Sequence, residues 1–278
     1  MKYVLFGNPI NHSKSSKIYE ILSKINNVKH FHSNLEVPIN KFEIKIKNFF
    51  NKGGCGANIT SPFKKKAFYI CKFLSYRSNF TKTVNFMKKV GNFIYGDNTD
   101  ILGIKYDMYR LNFLDKLDNI LIIGSGSVVE SIMPFFIKNV KNITITNRTI
   151  SKSYKIKNIY KKIKKINVIP LNKMKEFKYN LIVHATSCRS NNKNLNFKNL
   201  QIDHNVKCYD LLYKKGNTEF IDLCIKKGCK KYSNGLGMLL FQSIFNFYFW
   251  HNIKPNNYNY LIKLLNYIKN DLKKNNLI

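Results

Sequence analysis

Residues 119–126, NILIIGSG, constrain the fold more than any other stretch of the chain. The first five form a short continuous apolar run, which is typical of a strand buried on both faces of a parallel sheet. A glycine-containing turn follows, and a helical pattern, SIMPFFIKNV, begins soon after it. This order predicts a strand, turn and helix unit of the kind that binds a dinucleotide phosphate at the helix N-terminus.

The glycines of this turn match only part of the dinucleotide fingerprint G-x-G-x-x-G. Gly124 would make the tight turn, and Gly126 would let backbone N–H groups approach a pyrophosphate. The third position holds Val129 instead of glycine or alanine. The pattern by itself therefore leaves open whether this turn binds a nucleotide.

Strand-like and helix-like segments alternate along the rest of the chain, which predicts an α/β fold with a largely parallel sheet. The expected strands are YVLFG, HFHSNLEV, GANIT, NITITN, NVIPL, YNLIVHAT and KCYDLLY. The expected helices are SSKIYEILSKI, KFEIKIKNFF, the region 66–80, the lysine-rich stretch 151–166, and two C-terminal helices over 236–251 and 256–274. The stretch VNFMKKVGNFIYGDN predicts a hairpin that turns at Gly91-Asn92.

The 278-residue chain is strongly basic, with 48 Lys and Arg against 15 Asp and Glu and a formal net charge of +33. Such a charge would suit nucleic acid, an anionic membrane surface or an acidic substrate. The basic residues are spread along the chain, however, and few are arginine, the residue that specific base readout favours. Lys, Asn, Ile, Phe and Tyr share AT-rich codons, so a genome-wide base bias also explains the composition. We expect no specific nucleic-acid partner.

Neither the six cysteines nor the six histidines show a metal-binding spacing. No two cysteines are spaced as CxxC, and His30 and His32 form an HxH pair with no further ligand beside them. We therefore expect no metal, and free thiols in a reducing cytoplasm. The N-terminus has no signal-peptide pattern, and the longest apolar stretch, MLLFQSIFNFYFW, is too short to span a bilayer.

The end of the strand after the glycine turn indicates which dinucleotide would bind. NAD-binding units place an acid about 20 residues beyond the turn, where it bonds the ribose 2′-hydroxyl. This chain has Asn147, Arg148 and Thr149 there, with Lys152 one turn later. These side chains would hold a 2′-phosphate through charge-assisted bonds of roughly 1.5–3 kcal/mol each, so the sequence favours NADP over NAD. The alternative is a helix N-cap by Thr149 or Ser151 with exposed basic neighbours.

Polar side chains that could carry chemistry are concentrated in the first 100 residues. Residues 7–16, GNPINHSKSS, place Ser13 and Ser15 just after the first expected strand. Three further segments, GANITSPFK, TVNF and GDNTD, supply Asn58, Thr60, Lys64, Asn85 and Asp100. Each residue also has an ordinary structural explanation, because Asn, Asp and Ser suit turns and Lys suits a surface.

Taken together, the motifs resemble those of the shikimate dehydrogenase family. NPINHSKSS, GANITSPFK, VNFM, GDNTD, GSGS, TNRT, ATS, YDLLY and NGLGMLLFQ occur in the family's order, from Gly7 to Trp250. The resemblance implies an NADP-dependent enzyme that reduces 3-dehydroshikimate to shikimate in aromatic amino acid (chorismate) biosynthesis. It also implies two α/β domains with a cleft between them: a substrate domain of residues 1–101 with the returning C-terminal helices 236–278, and a Rossmann-like NADP-binding domain of residues 102–235.

The resemblance also implies a role for each matching residue. Lys64 and Asp100 would be the catalytic acid–base pair, and Ser13 and Ser15 would bind the substrate carboxylate. Lys64 and Asp100 would also bind the substrate. The other substrate-binding positions are Asn58, Thr60, Asn85, Tyr213 and Gln242. The cofactor positions are Gly124, Ser125, Gly126, Ser127, Asn147, Arg148, Thr149, Lys152, Leu211, Gly235, Gly237 and Met238, the last two near the nicotinamide.

Several positions depart from the family pattern without removing a catalytic group. They are Ser127 and Val128 at the end of the glycine motif, Lys152 in place of a common arginine, His184 in place of a common asparagine, and Ser16 and Glu219 in place of prolines. Two alternatives stay open: a quinate/shikimate dehydrogenase with relaxed NAD and NADP use, and a decayed enzyme fold that binds a polyanion. As partners, the resemblance implies the small-molecule substrate and allows a homodimer.

Overall fold

The structure, a computed structural model, describes residues 1–10, 13–115, 117–176, 178–186, 197, 200–255 and 257–278. These residues form two compact units. Unit 1 comprises Met1–Ile104 and Leu239–Ile278, and unit 2 comprises Lys105–Met238.

Unit 1 is built on one six-stranded sheet. Its strands are β1 (Lys2–Gly7), β2 (Phe31–Glu36), β3 (Gly54–Ile59), β4 (Phe73–Leu74), β5 (Phe86–Val90) and β6 (Phe93–Asp97), in the order β2-β1-β3-β5-β6-β4. Strand β1 pairs in parallel with β2 and β3, whereas β5 pairs antiparallel with β3 and β6. The antiparallel pairing of β5 with β6 confirms the hairpin expected from the sequence.

The longer helices of unit 1 bury an apolar face. They are α1 (Ser15–Ile25), α2 (Phe42–Asn51), α3 (Lys64–Ile70), α4 (Tyr76–Thr81) and α10 (Tyr258–Lys274), and α5 (Asp100–Arg110) and α9 (Leu236–His251) each begin in one unit and end in the other. In α2 the buried residues Phe42, Ile46 and Phe50 recur every four positions, which places them on one face. The Phe42 ring stacks on Phe63 with ring centroids 4.3 Å apart, and this contact anchors the chain just before α3.

Unit 2 is built on a six-stranded sheet in which all five pairings are parallel. Its strands are β7 (Asn119–Ile123), β8 (Asn142–Thr146), β9 (Ile166–Val168), β10 (Leu181–His184), β11 (Lys207–Asp210) and β12 (Lys231–Asn234). Its helices are α6 (Ser127–Asn139), α7 (Ile150–Tyr160), α8 (Glu219–Lys226) and a 3-10 helix, Leu171–Glu176. The order β9-β8-β7-β10-β11-β12 is that of a doubly wound dinucleotide-binding sheet, whose ligands bind beyond the carboxyl ends of its central strands.

The region 66–80 is not the single helix that the sequence pattern predicts. Helix α3 ends at Ile70, the chain pairs with β6 as strand β4, and α4 begins at Tyr76. The Ser75 hydroxyl accepts a hydrogen bond from the Ser78 N–H and so caps α4. A serine cap within an apolar pattern is a local signal for a new helix, and the prediction of one helix here was wrong because it ignored this signal.

The lysine-rich helix is also shorter than expected. Helix α7 ends at Tyr160. Ile166, the last residue of the expected helix, begins strand β9, which pairs with β8 and continues into the expected strand NVIPL. The units change at 104/105 and 238/239, compared with the expected 101/102 and 235/236. Both changes fall inside helices, where the chain has no turn signal. Among the described residues, no helix has the length and apolar character needed to cross a membrane.

Candidate active site

The two residues expected to be catalytic form a direct, buried ion pair in unit 1. Lys64 is the first residue of α3, and Asp100 is the first residue of α5. The Lys64 Nζ donates a hydrogen bond of 2.5 Å to Asp100 Oδ2, and each residue is only 6% exposed. Loss of either partner would leave the other charge buried and unpaired, at a cost of about 3–5 kcal/mol. The ion pair therefore holds the ammonium group at a defined position.

Asn85 extends the ion pair into a hydrogen-bonded network. Its Nδ2 donates to Asp100 Oδ1 at 2.6 Å and to Gln242 Oε1 at 3.2 Å. Its Oδ1 accepts from the backbone N–H of Thr99 at 2.7 Å. The amide nitrogen thus faces two acceptors and the amide oxygen faces a donor, so only one orientation of the Asn85 side chain satisfies all three hydrogen bonds. The structure thus brings three further expected substrate residues, Asn85, Asp100 and Gln242, together around Lys64.

The network continues through residues that the sequence analysis missed. Asn246 Nδ2 donates to Gln242 Oε1 at 3.2 Å and to the Tyr19 hydroxyl at 3.4 Å. Asn98 Oδ1 accepts from the backbone N–H of Asp100 at 3.1 Å and so caps the first turn of α5. Asn98 belongs to the GDNTD motif, so its position was visible in the sequence. Nothing local could have linked Tyr19 with Asn246, because they are 227 residues apart.

Asn58 and Thr60 lie at the carboxyl end of β3. Asn58 is the last residue but one of the strand and is 4% exposed. Its Oδ1 lies 3.3 Å from His32 Nε2, and its Nδ2 makes no hydrogen bond to the described residues. Thr60 follows the strand and is partly buried. The Asn58 Nδ2 is therefore a buried donor that a ligand oxygen could satisfy.

Ser13 and Ser15 lie in the connection that leaves the carboxyl end of the neighbouring strand β1. Ser15 is 5% exposed at the start of α1, and its N–H donates to Ser13 Oγ at 3.2 Å. The loops that follow β1 and β3 are joined by a hydrogen bond of 3.1 Å from Asn8 N–H to Ser61 O. Because parallel strands present their carboxyl ends at one sheet edge, the two serines share that edge with Asn58, although no hydrogen bond among the described residues joins them to the Lys64 network.

In unit 2 the glycine turn lies between the carboxyl ends of β7 and β10. Gly124 has a φ of +125°, and a Cβ there would lie 2.6 Å from the Ala185 carbonyl oxygen. Gly126 is the N-cap of α6, and a Cβ there would meet nothing within 4 Å. Gly124 therefore fits the turn for steric reasons, whereas Gly126 leaves open space in front of the first backbone N–H groups of α6, as a phosphate requires.

The neighbours of the two glycines serve different purposes. The Ser125 hydroxyl lies 2.7 Å from the Ser153 hydroxyl, and this hydrogen bond joins the turn to α7. Ser127 is the first residue of α6 and is partly buried. Val129 has no exposed surface, so the third position of the fingerprint belongs to the core. A side chain larger than glycine is accommodated there because it points inward.

The residues expected to hold a 2′-phosphate follow β8. Asn147 Nδ2 donates to the Thr149 carbonyl oxygen at 3.0 Å. Thr149 occupies the N-cap position of α7, but its side chain makes no capping hydrogen bond, and Ser151 lies inside the helix. Arg148, Thr149 and Lys152 are exposed. The N-cap alternative is thus not realised by either hydroxyl, and the exposed donors are accessible to an anion.

The remaining residues expected to bind the cofactor follow β11 and β12. A Cβ at Gly235 would lie 2.3 Å from the Leu211 carbonyl oxygen, and a Cβ at Gly237 would lie 2.1 Å from Asp107 Oδ1. Both glycines are therefore required by close approach of neighbouring groups. Met238 follows directly and is 7% exposed.

Two further positions of unit 2 are Tyr213 and His184. Tyr213 is partly buried, and burial raises the pKa of its hydroxyl. His184, which replaces a common asparagine, is bonded on both ring nitrogens: Nδ1 lies 3.0 Å from Asp210 Oδ1, and Nε2 lies 2.6 Å from the Thr186 hydroxyl. The replacement has therefore kept a polar anchor at the end of β10.

In the described part of the chain, no three His, Cys, Asp or Glu side chains are grouped as a metal site would require. The described cysteines, Cys55, Cys71, Cys208, Cys224 and Cys229, are free thiols. Ser187 of the ATS motif and the sixth cysteine, Cys188, lie outside the described residues.

A doubly wound sheet with a glycine turn at its switch point, in a chain that also carries a buried lysine–carboxylate pair, defines a class: dinucleotide-dependent oxidoreductases with two α/β units. Within that class, the chain belongs to the shikimate dehydrogenase family. The family models described as shikimate dehydrogenase substrate binding domain and shikimate/quinate 5-dehydrogenase match residues 5–87 and 111–207. These matches confirm the family, and the two-domain α/β fold, that the motifs indicate.

Relatives from bacteria match nearly the whole chain. The shikimate dehydrogenase (NADP(+)) of Buchnera aphidicola subsp. Acyrthosiphon pisum is 40% identical over 266 residues, which cover 95% of this chain and 97% of the relative. The protein of the same name from Buchnera aphidicola subsp. Cinara cedri is 42% identical over 255 residues, which cover 91% of each.

Solved structures share the fold at lower sequence identity. Shikimate dehydrogenase 1 from Peptoclostridium difficile superposes with a TM-score of 0.82 at 24% identity and covers 99% of this chain and 98% of its own. Shikimate 5-dehydrogenase from Thermus thermophilus, solved in complex with shikimate, gives a TM-score of 0.83 at 20% identity, with 98% of this chain and 99% of its own covered. At these identities the likeness establishes the fold.

Proposed function

We propose that the chain catalyses the NADP-dependent, reversible reduction of 3-dehydroshikimate to shikimate, with Lys64 and Asp100 as its acid–base pair. The observation that carries this proposal is the buried hydrogen bond of 2.5 Å between Lys64 Nζ and Asp100 Oδ2. Family membership and the names of the relatives support the reaction and the cofactor. The contacts of the individual residues support the role of each one.

The chemistry needs a proton donor at the oxygen of the reacting ketone. When NADPH is bound, its nicotinamide supplies the hydride to the ketone carbon. Lys64 donates a proton to the oxygen on which negative charge develops, and its own charge stabilises that oxygen. Asp100 holds the ammonium at one position, and Asn85 fixes the second carboxylate oxygen. In the reverse direction the same pair takes up the proton of the substrate hydroxyl.

The substrate carboxylate and ring hydroxyls have separate binding groups. Ser13 and Ser15 bind the carboxylate through their hydroxyls at the start of α1. The residues assigned to the ring are Asn58, Thr60, Asn85, Asp100, Gln242 and Tyr213. The orphaned Nδ2 of Asn58 supports this assignment, since a buried donor without a partner is costly unless a ligand satisfies it.

NADP fits the turn and the side chains that follow β8. Gly124, Ser125, Gly126 and Ser127 place backbone N–H groups at the pyrophosphate, and the N-terminus of α6 adds a favourable dipole. Asn147, Arg148, Thr149 and Lys152 hold the 2′-phosphate, which an acidic residue at this place would repel. Leu211 and Gly235 belong to the same cofactor site, and Gly237 and Met238 lie near the nicotinamide. The exposed, uncapped state of Thr149 supports the 2′-phosphate assignment.

Partners and location belong to the same proposal. The free thiols support a reducing compartment, the cytoplasm. We expect the +33 charge to retain nucleic acid only at low salt, without sequence preference, because the arginines are few. The proposal leaves room for a homodimer, which repulsion between two basic chains would weaken at low ionic strength.

The test is the initial rate of shikimate oxidation by the purified protein, with NADP and NAD in parallel. Turnover with a strong NADP preference is the expected result. Equal efficiency with both nucleotides would keep the reaction and reject the assignment of the 2′-phosphate residues. Turnover of quinate with either nucleotide would favour the quinate/shikimate alternative. No turnover by a folded protein would overturn the proposal and favour the decayed, polyanion-binding alternative.

A further inference from the structure

His32 is bonded to a candidate substrate-binding residue, although neither the sequence motifs nor the proposed mechanism uses it. It lies on the edge strand β2, and its Nε2 is 3.3 Å from Asn58 Oδ1 on β3. Burial lowers the pKa of the His32 imidazole to about 4, so the ring is neutral near pH 7 and carries one N–H. A carbonyl oxygen can only accept, so this contact requires the proton to be on Nε2.

The contact with His32 couples the orientation of the Asn58 amide to the tautomer of the imidazole. With Oδ1 turned toward the imidazole N–H, the amide Nδ2 is left as a buried donor that makes no hydrogen bond to the described residues. The reverse orientation would turn Nδ2 toward Nε2 and would need the other imidazole tautomer, with its proton on Nδ1. In the orientation that the structure shows, the orphaned Nδ2 is a buried donor that an oxygen of a ligand would satisfy.

His32 is held in turn by two neighbours from α1. The Ser16 hydroxyl lies 3.4 Å from His32 Nδ1 and 3.0 Å from Asn34 Oδ1. Both are acceptors when the imidazole proton is on Nε2, so the one hydroxyl proton is shared between them. The Tyr19 ring packs against the imidazole with ring centroids 4.4 Å apart. Ser16 stands where the family commonly has proline, which has no hydroxyl to reach the imidazole. The hydroxyl and the histidine thus form a chain of contacts from α1 to Asn58.

We propose that His32 is a positioning residue for substrate binding, which holds the Asn58 amide so that Nδ2 donates to an oxygen of the substrate, with Ser16 orienting the imidazole. The ligand class is a polyhydroxylated ring acid, and the inference rests on the proposed function for the choice of shikimate. His32 itself acts only through Asn58.

The test compares full-length variants by their KM for shikimate, their KM for NADP and their kcat. His32→Leu removes the donor at similar size, and we expect it to raise the KM for shikimate about tenfold while the KM for NADP stays within about twofold. His32→Gln keeps an N–H that can reach Asn58 Oδ1, and it should recover most of the loss. Ser16→Ala should raise the KM for shikimate by about twofold, since the imidazole retains its other contacts.

His30→Leu is the matched control. His30 stacks on the same side of the sheet, with its ring centroid 5.8 Å from that of His32, but it bonds His251 instead of Asn58. The His30→Leu variant should have a lower thermal midpoint and an unchanged KM for shikimate. If His30→Leu raises this KM as much as His32→Leu does, the effect comes from packing and the proposal is wrong.

A double mutant separates positioning from direct contact. His32→Leu should add little to the KM of Asn58→Ala, because its effect requires the amide. Full additivity of the two changes would overturn the proposal. If the wild-type protein shows no turnover, the same comparison is made on the Kd for shikimate by calorimetry. An unchanged Kd in His32→Leu rejects the positioning role alone, whereas a wild-type protein that neither turns over nor binds shikimate rejects both proposals.

Discussion

The candidate substrate site in unit 1 and the candidate nucleotide site in unit 2 are organised in opposite ways. In unit 1 the functional groups are the side chains of Lys64, Asn85 and Asp100, each between 3% and 6% exposed and bonded to one another. In unit 2 they are the backbone around Gly126 and exposed side chains such as Arg148. One site is fixed by side-chain hydrogen bonds, and the other by the path of the backbone.

The difference reflects what each ligand requires. Proton transfer needs an acid within hydrogen-bond reach of one oxygen, so the ammonium must be held before the substrate arrives. Phosphate groups offer many acceptors, so a helix N-terminus with a few hydrated cations is sufficient. We therefore expect substitutions in unit 1 to act through geometry and kcat, and substitutions in unit 2 to act through affinity for the cofactor.

The largest effect is expected for Lys64→Ala. The variant loses the proton donor, which should lower kcat by roughly 10²–10⁴-fold and leave the Kd for NADP nearly unchanged. It also leaves Asp100 buried without its partner, so the free energy of unfolding should fall by about 3–5 kcal/mol. Steady-state rates, NADP titration and urea unfolding of the same preparation check the three expectations. Lys65→Ala, which changes the exposed neighbour, should keep the wild-type kcat.

The outcome that would break the comparison is a loss of NADP binding in Lys64→Ala while the protein remains folded. In that case the ammonium would serve the structure of the cofactor site. Asp100→Asn keeps the shape of the side chain and removes its charge, so it should also lower kcat. A variant with full kcat would show that the carboxylate charge is not needed to hold Lys64.

The second effect separates the two glycines of the turn in unit 2. Gly124→Ala forces a positive φ on alanine and puts its Cβ against the Ala185 carbonyl, so the free energy of unfolding should fall by about 1–3 kcal/mol. Gly126→Ala meets no atom within 4 Å and should leave unfolding unchanged, while its methyl group weakens NADP binding. Equal thermal midpoints for the two variants would contradict the steric argument.

The third effect concerns the choice between the two cofactors. Arg148→Ala should raise the KM for NADP about tenfold and leave the KM for NAD unchanged, because only NADP carries the 2′-phosphate. Lys155→Ala, on the exposed side of α7, is the control and should leave both values unchanged. An equal rise in the KM for NAD would mean that Arg148 supports the glycine turn itself. The fold-increase in the KM for NADP caused by Arg148→Ala should become smaller as the salt concentration is raised, because salt screens the attraction between exposed charges.

The sequence predicted most of unit 2 because its signals are local. The apolar run of β7, the two glycines and the residues after β8 lie close together along the chain, and the sheet order follows from the fold class. The error at 66–80 arose where the Ser75 cap divided one apolar pattern into two helices. The extent of α7 was also missed, because a lysine-rich pattern continues past Tyr160 without a stop signal.

The substrate site was predicted through motifs and not through its contacts. GANITSPFK and GDNTD named Lys64 and Asp100, but the bond between them joins residues 36 positions apart. Contacts of His32 with Asn58 and of Tyr19 with Asn246 had no signal in the sequence, since they depend on the pairing of strands and on the packing of α9. Preorganised side-chain networks are tertiary features, and periodicity carries no information about them.

The last effect follows from three histidines that belong to unit 1. Burial, followed by repulsion from neighbouring charges, lowers the pKa of His30 to about 2, and burial lowers the pKa of His32 and of His251 to about 4, from an ordinary value of 6.5. At a pH between the lowered pKa of each histidine and its ordinary value of 6.5, the unfolded chain binds a proton that the folded chain does not. The free energy of unfolding should therefore fall as the pH is lowered below about 6.5, by at most about 1.4 kcal/mol per pH unit for each histidine.

Trp250 makes this loss measurable in unit 1, because it is the chain's single tryptophan and its ring lies 5.6 Å from that of His30. Urea unfolding followed by Trp250 fluorescence should shift to lower urea at pH 5 than at pH 7, and His30→Gln should reduce the shift by removing one titrating group. NADP binding, followed in the same samples, reports on unit 2 and should respond less. If the cofactor signal is lost at lower urea than the fluorescence signal at pH 5, the buried histidines are not what makes the protein sensitive to acid.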